Sequence, residues 1–377
     1  MGLAKVLFCM SLLGASLQMA HAAEEDAMRH GAIPVQADVM AIAAGTTVTL
    51  QHASDPRSKS ELLGSVDIVA ILPTGNGQWL LYVEGNTSPR QQGVSTLLPE
   101  ANQDAAAAVD RDNKGRLQVS SLNYLWYQGK NALLVGLLNP TGPIDNSDTA
   151  NNETSQFLAR TLVNNPTIPF PDYTLGLVYF YKPEYRQLDM TFLLTSSNGL
   201  ADNPNRSYAE LVDVTAPNKG VFAVTEVVRR TDRHTWRMGV WLQTADNAYL
   251  DGSGKSADNY GIYLNSDHQL GQHRLNVRLG LANPKVSEAA GFIGLAVDHP
   301  LGKNRAGVGY THTFVSDQAG AGKADRSQYE IYLRINLAAN FSVTPSLQRI
   351  QNSDFDSSGA TIDSDANVIS VRTSYNF

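Results

Sequence analysis

The residues with the clearest capacity for chemistry in this sequence are charged side chains at even spacing along alternating segments. Arg274 and Arg278 share one face of residues 272–282, and Leu and Val occupy the other face. Guanidinium and carboxylate groups donate and accept hydrogen bonds, and rings of such charges select ions in channels. An aromatic ring offers a flat face on which a solute can stack. The candidates for lining an aqueous passage are Arg160, Arg237, Arg274, Arg278, Arg334, Arg372 and Glu330, and those for stacking are Trp241 and Tyr332.

Alternation of this kind places polar and apolar side chains on opposite faces of a β-strand. It recurs in about seventeen segments separated by turns rich in Gly, Asn, Asp or Pro, which is typical of a transmembrane β-barrel. Single-chain bacterial barrels have even strand numbers, so we predict about sixteen strands. Residues 208–213 are the short candidate that we expect to be a loop or part of a neighbouring strand.

The composition excludes several classes of protein. The 377 residues include 29 Lys and Arg against 36 Asp and Glu, a net charge of −7 that argues against a nucleic-acid partner. No apolar run in the mature chain reaches the length of a membrane-spanning helix. The single cysteine, Cys9, lies in a predicted leader and so excludes both a disulfide scaffold and a cysteine nucleophile. No motif for a metal, a cofactor or an energy source appears.

The leader is predicted over residues 1–22. Lys5 supplies the positive charge, residues 6–17 form an apolar stretch, and Ala20-His21-Ala22 is a cleavage site of small residues. We expect residues 23–45 to form an N-terminal periplasmic segment and residues 46–377 to form the barrel.

The C-terminal segment indicates where such a barrel would reside. Residues 368–377 alternate and end on Phe377, which resembles the signal that the assembly machinery of bacterial outer-membrane barrels recognises. In lipid every backbone N–H and C=O group needs a partner, so only a closed sheet has no unpaired edge. The prediction is therefore an all-β, closed antiparallel barrel in a bacterial outer membrane, surrounded by lipid and lipopolysaccharide.

One stretch breaks the alternation. Residues 151–162 have apolar side chains at helical spacing, with Asn152 or Thr154 as a cap, and residues 164–173 are too rich in proline for a strand. Two interpretations remain open. Either this short helix and loop fold inward and narrow a pore, or they form a surface loop with one helical turn.

Several blocks of the sequence resemble the carbohydrate-selective porins of the OprB type, over residues 131–377. The resemblance implies a sixteen-stranded barrel, a monomer or homotrimer, passive uptake of sugars, and a constriction lined by arginine and glutamate. The residues that carry it are 152–158, 162–166, 169–176, Tyr332, 343–348 and 372–377.

We therefore expect a passive diffusion porin for sugars or related small hydrophilic solutes, with inward arginines that favour anions. Two alternatives are a secreted, soluble, carbohydrate-binding β protein or lyase, and a non-conducting structural barrel plugged by residues 151–171. An enzyme is not expected. A lipase built on a barrel needs a Ser–His pair on an outer face, and no serine pattern accompanies His234, His273 or His312.

Overall fold

The computed structural model describes residues 37–104, 115–183, 188–201, 207–215, 219–320, 323–353 and 365–377. The predicted leader, residues 1–22, lies outside the described residues, as do residues 23–36 of the predicted N-terminal segment. No helix in the described ranges is long and apolar enough to cross a membrane.

Sixteen antiparallel strands pair with their neighbours in the chain, and β1 closes the sheet on β16 with Val48 opposite Thr373. The predicted closed antiparallel barrel is thus confirmed, and β1 begins at Ala41, before the predicted start of the barrel at Thr46. The strands are β1 Ala41–Ala53, β2 Glu61–Thr74, β3 Gly77–Asn86, β4 Arg116–Gln128, β5 Asn131–Leu138, β6 Thr174–Tyr181, β7 Leu188–Ser196, β8 Val221–Arg230, β9 His234–Ala248, β10 Ser256–Leu270, β11 His273–Ala282, β12 Ala289–Leu301, β13 Asn304–Val315, β14 Arg326–Ala338, β15 Phe341–Gln351 and β16 Asp365–Asn376.

The two ends of the barrel differ in their connections. At one end, here called the turn end, strands such as β2 and β3 are joined by tight turns. Four of these turns carry a glycine in the left-handed region, where a side chain would be strained: Gly75, Gly129, Gly271 and Gly302. The opposite end, the loop end, carries the longer connections, including residues 87–115 and 139–173.

Alternation along the strands separates the two surfaces of the wall. In β9, Met238 and Val240 point outward and are 62% and 54% exposed, whereas Arg237 and Trp241 point inward and are at most 3% exposed. The same contrast recurs around the barrel. The outer surface is therefore largely apolar, and the buried charged side chains of the wall face the interior.

Two predicted elements differ from the structure. The seventeenth strand candidate is a 3-10 turn, Tyr208–Val212, whose Tyr208 hydroxyl donates to the carbonyl of Val119 at 2.9 Å. The helix predicted over residues 151–162 is wrong in extent, because the only helical turn there is Arg160–Val163. Asn152 Oδ1 accepts the backbone N–H groups of Thr154 and Ser155, and such side-chain bonds compete with a helix.

Candidate functional site

The connection between β5 and β6, residues 139–173, folds into the barrel and is here called the inserted segment. Its side chains Ile144, Phe157, Leu158 and Leu162 are at most 3% exposed. Phe157 packs edge-on against the wall residue Tyr332, with ring centroids 4.9 Å apart. Of the two interpretations left open by the sequence, the structure shows the inward one.

A single arginine of the wall holds both halves of the inserted segment. Arg278 of β11 donates to the carbonyl oxygens of Leu162 and Val163 at 3.0 Å, and to those of Asp145 and Ala150 at 3.0 and 3.2 Å. Its Nε also lies 3.4 Å from the Asp145 carboxylate. Because the side chain is 1% exposed, these bonds replace its contacts with water.

Other wall charges hold the segment in the same way. The carboxylate of Glu330 accepts the backbone N–H groups of Leu158 and Ala159 at 2.9 and 2.7 Å. Arg372 donates to the carbonyl oxygens of Glu153 and Gln156. The segment has few regular backbone bonds of its own, so these side chains satisfy polar groups that would otherwise be buried without partners.

A glycine in the wall permits this close approach. A Cβ atom at Gly280 of β11 would lie 2.7 Å from Asn165 Oδ1 and closer still to the Thr167 hydroxyl. We expect Gly280→Val to force residues 165–167 away from the wall and so to alter single-channel conductance. Gly64→Val is the matched control, because the nearest atom to a Cβ at this outward position of β2 is the Thr87 methyl carbon at 3.4 Å, an ordinary contact distance. Equal conductance of both variants and the parent chain would contradict this prediction.

The connection between β3 and β4 also turns inward at the loop end. Val94, Leu98 and Ala101 are fully buried against Ile350 and Val368 of the wall. Two turns form this contact, the α-helical turn Val94–Leu97 and the 3-10 turn Pro99–Ala101. The Glu61 carboxylate accepts the backbone N–H of Ser95 at 2.8 Å and fixes the start of the connection.

The two inward connections leave a cavity of about 1080 Å³ between themselves and the wall. Ala43, Arg334 and Asn376 line it near the turn end, and Glu288 and Arg326 line it near the loop end. The cavity therefore extends along the barrel axis. Its charged lining residues are Asp67, Glu84, Glu100, Asp104, Glu153, Asp172, Glu288, Arg160, Arg326 and Arg334.

Carboxylates concentrate on one side of this cavity. Asp104 and Glu153 belong to the two inward connections and lie near Asp67 and Glu84 of the wall, close enough to repel them electrostatically. Burial, with this repulsion, raises the pKa of Asp104 to about 6 and that of Glu153 to about 7. Among the described residues, no three His, Asp, Glu or Cys side chains are arranged to hold a metal ion.

Aromatic side chains lie beside these carboxylates. Tyr82 and Tyr173 line the cavity with their ring centroids 6.1 Å apart. Tyr173 has a φ of 49°, an unfavourable backbone conformation for an aromatic residue, and its carbonyl accepts the N–H of Leu200 at 3.0 Å. The Arg116 guanidinium lies 5.8 Å from the Tyr173 ring centroid and bonds Glu84 at 2.5 Å.

The structure divides the residues predicted from the sequence into two groups. Arg160 and Arg334 line the open cavity. The others face inward but are not among the residues that line this cavity, and their assignment to a constriction remains a proposal. Arg278, Arg372 and Glu330 hold the inserted segment. Arg237 pairs with Asp267, and Arg274 pairs with Asp298. The two stacking candidates, Trp241 and Tyr332, are only 3% and 2% exposed.

Sequence reasoning missed the acidic and aromatic lining. Asp67 is a carboxylate within the largely apolar strand β2, and Tyr82 and Glu84 share the inward face of β3. Their even spacing could have identified this face. Asp104 and Glu153 lie in connections, where alternation carries no information.

The fold is that of the porins of known structure. OprB of Pseudomonas putida at high pH aligns with a TM-score of 0.68, covering 90% of this chain and 94% of that chain at 11% identity. OmpF of Salmonella typhi, in complex with daunomycin, aligns with a TM-score of 0.56 over 90% and 97% of the two chains at 11% identity.

The outer membrane channel DcaP of Acinetobacter baumannii aligns with a TM-score of 0.56 over 91% of this chain and 99% of that chain, at 10% identity. No protein-family model matches the sequence. No curated protein sequence matches it either. The shared feature is thus the fold.

Proposed function

We propose that this protein is a passive diffusion channel for small hydrophilic solutes, sugars foremost, across a bacterial outer membrane. The observation that carries the proposal is the polar cavity lined by residues near both ends of the barrel, from Arg334 and Asn376 to Glu288. A passage of this kind needs no cofactor or energy source. The turn end then faces the periplasm and the loop end faces the exterior, as in known bacterial barrels.

The outer surface supports a membrane rather than water as the surroundings. Soluble monomers rarely expose continuous apolar patches larger than a few hundred Å². Here exposed Leu, Ile, Val and Trp side chains recur on most strands around the barrel, from Leu62 of β2 to Ile369 of β16. In water this surface would favour aggregation, which argues against the soluble carbohydrate-binding alternative.

The chemistry of the cavity suits uncharged, hydroxylated solutes. Tyr82, Tyr173 and Phe170 offer ring faces, and Asn164 and Gln243 offer amide donors and acceptors. These groups can replace the hydration of a sugar without a fixed charge on the solute. The resemblance to the carbohydrate-selective porins points to the same class of solute.

We propose cation rather than anion preference for ions that enter the channel. Seven carboxylates and three arginines line the cavity. The anion preference expected from the sequence rested on arginines such as Arg278 and Arg372, which are bonded to carbonyl groups of the inserted segment. Arginines held in this way are shielded from a passing ion.

The membrane partners follow from the same proposal. The apolar belt contacts phospholipid and lipopolysaccharide, and the alternating strand β16 is the element that the assembly machinery would recognise. We retain both a monomer and a homotrimer as assembly states.

Planar-bilayer conductance and liposome swelling test the function directly. We expect steady single-channel currents from the purified, detergent-solubilised chain and faster swelling with mono- and disaccharides than with larger sugars. Folded protein that passes no current would favour the plugged structural barrel. A chain that stays monodisperse in buffer without detergent would favour the soluble alternative.

One arginine of the lining gives a sharper test. Arg334→Ala should raise the cation-to-anion permeability ratio by up to about tenfold, because one charge at about 6 Å shifts the energies of a cation and an anion by about 0.7 kcal/mol each, in opposite directions, in a water-like medium. Arg305→Ala is the matched control, since Arg305 is the cross-strand neighbour of Arg334 but does not line the cavity. Reversal potentials in a salt gradient measure the ratio. An unchanged ratio in Arg334→Ala would remove Arg334 from the ion path.

A further inference from the structure

Three side chains at the loop end of the outer wall form an arrangement that the channel does not use. We propose that Ser327, His312 and Asp325 form a hydrolytic site for carboxylic esters of membrane lipids. The proposal requires the barrel to be embedded in lipid, but it does not require the barrel to conduct. Porins of known structure share this fold, and a fold does not by itself determine which sites it carries.

Strand register creates the central pair. His312 of β13 and Ser327 of β14 are directly opposite each other, so their side chains leave the same face of the sheet. His312 Nδ1 lies 2.9 Å from Ser327 Oγ, which is hydrogen-bonding distance between a base and a nucleophile. Both residues alternate with the inward-facing Thr313 and Gln328, so the pair lies on the outer surface.

A carboxylate completes the arrangement from the other side of the imidazole. Asp325 Oδ2 lies 3.5 Å from His312 Nε2, and Asp325 Oδ1 accepts the backbone N–H of Val315 at 2.8 Å. The second bond orients the carboxylate. Asp325 therefore favours the tautomer in which Nε2 carries the proton and Nδ1 presents its lone pair to Ser327.

The chemistry balances without an added oxidant or metal. Ser327 Oγ attacks the ester carbonyl carbon while its proton passes to His312 Nδ1, and the alcohol leaves with that proton as the carbon–alkoxy bond breaks. Water then attacks the acyl-serine and gives a proton to Nδ1. The carbon–Oγ bond breaks, and Ser327 regains that proton. The net reaction converts an ester and water to a carboxylic acid and an alcohol.

The surroundings point to an amphiphilic substrate. His312 is 25% exposed and Asp325 is 46% exposed, so water reaches the site. The Phe314 ring packs edge-on to His312 at 4.6 Å, and the outward ring of Tyr310 lies two residues further along β13. A lipid ester at the membrane surface places its acyl chain along such an apolar wall and its ester group at the water boundary.

A second Ser–His contact on the outer wall, between His52 and Ser60, serves as the comparison. His52 Nδ1 lies 3.0 Å from Ser60 Oγ, and this pair is exposed near the loop end. Within the ranges that the structure describes, no carboxylate lies within 4 Å of the ring nitrogens of His52, whereas Asp325 Oδ2 lies 3.5 Å from His312 Nε2. The His52–Ser60 pair is therefore a matched control.

The test uses the full chain in mixed micelles with either phosphatidylglycerol or lipopolysaccharide. A fluorophosphonate probe labels the reactive serine, and mass spectrometry detects released fatty acid. We expect labelling at Ser327 and fatty-acid release in one or both arms; the active arm identifies the lipid source. Ser327→Ala should abolish labelling and release, and Ser60→Ala should retain both. Release that persists in Ser327→Ala, or no labelling of Ser327 and no release in either arm, would overturn the proposal.

Two further variants separate chemistry from folding. His312→Asn should lower kcat by about 10²–10⁴-fold, the usual contribution of a general base. Asp325→Asn should lower kcat with KM unchanged, because Asp325 acts through His312 as a positioning residue. The far-UV circular dichroism spectrum of each variant in micelles provides the folding control, and this control does not depend on conduction. An Asp325→Asn variant with an unchanged kcat would contradict the positioning role.

Discussion

Arg278→Ala should yield a folded barrel whose inserted segment is loosened and whose single-channel conductance is higher and noisier than that of the parent chain. The guanidinium donates to four carbonyl oxygens of the segment and lies beside the Asp145 carboxylate. Removing one partner of a buried ion pair typically costs about 3–5 kcal/mol, since the remaining charge stays buried. We expect this loss of free energy to destabilise the inserted segment and not the barrel, because the strands keep their backbone hydrogen bonds to one another.

Arg274→Ala is the matched control for this effect. Arg274 lies on the same strand and face, but it pairs with Asp298 and not with the inserted segment. Bilayer recordings and limited proteolysis of residues 145–163 measure the two consequences. If Arg278→Ala and Arg274→Ala conduct alike and resist proteolysis alike, Arg278 does not hold the segment in place.

The double variant Asp104→Asn/Glu153→Gln should lower the cation-to-anion permeability ratio by up to about a hundredfold at pH 8. Each lost charge at about 6 Å shifts the energies of a cation and an anion by about 0.7 kcal/mol in opposite directions, which is up to about tenfold in their ratio in a water-like medium. The parent chain should show the same loss as the pH falls. The pKa of Glu153 is about 7 and that of Asp104 about 6, so protonation between pH 8 and pH 5 removes first one negative charge and then the other.

Reversal potentials at low ionic strength measure this ratio with the least screening. Asp251→Asn/Asp258→Asn is the matched control, since both are exposed residues outside the cavity lining. We expect the control to keep both the high ratio and its pH dependence. A double variant that still loses selectivity as the pH falls would place the titrating groups elsewhere.

The strands were predictable because their information is local. Alternation within about ten residues indicates which side chains share a face of a strand, and turn residues indicate where each strand ends. The alternating segment at residues 272–282, for example, is observed as β11, His273–Ala282. Only residues 208–213, whose Tyr208 bonds the distant wall residue Val119, proved to be a turn instead of a strand.

The residues that line the cavity were less predictable, because the exposure of an inward side chain depends on which other parts of the protein cover it. Arg278 and Arg334 both face inward, yet one is bonded to the inserted segment and the other lines the cavity. The helical spacing of residues 151–162 was misleading for two reasons. The apolar side chains contact the wall, and Asn152 Oδ1 accepts backbone N–H groups that a helix would need. The outer Ser–His pair was missed because it depends on the register of β13 and β14.

The sequence alone therefore determined the class of sheet, the strand order and the face on which each side chain lies, because these follow from a two-residue period and from turns between adjacent strands. Only the tertiary structure decided which charges meet the aqueous passage and which hold the inserted segment. The contacts that make this choice join residues such as Leu162 and Arg278, which are 116 positions apart. Periodicity within a strand cannot encode such pairings, because they depend on closure of the whole barrel.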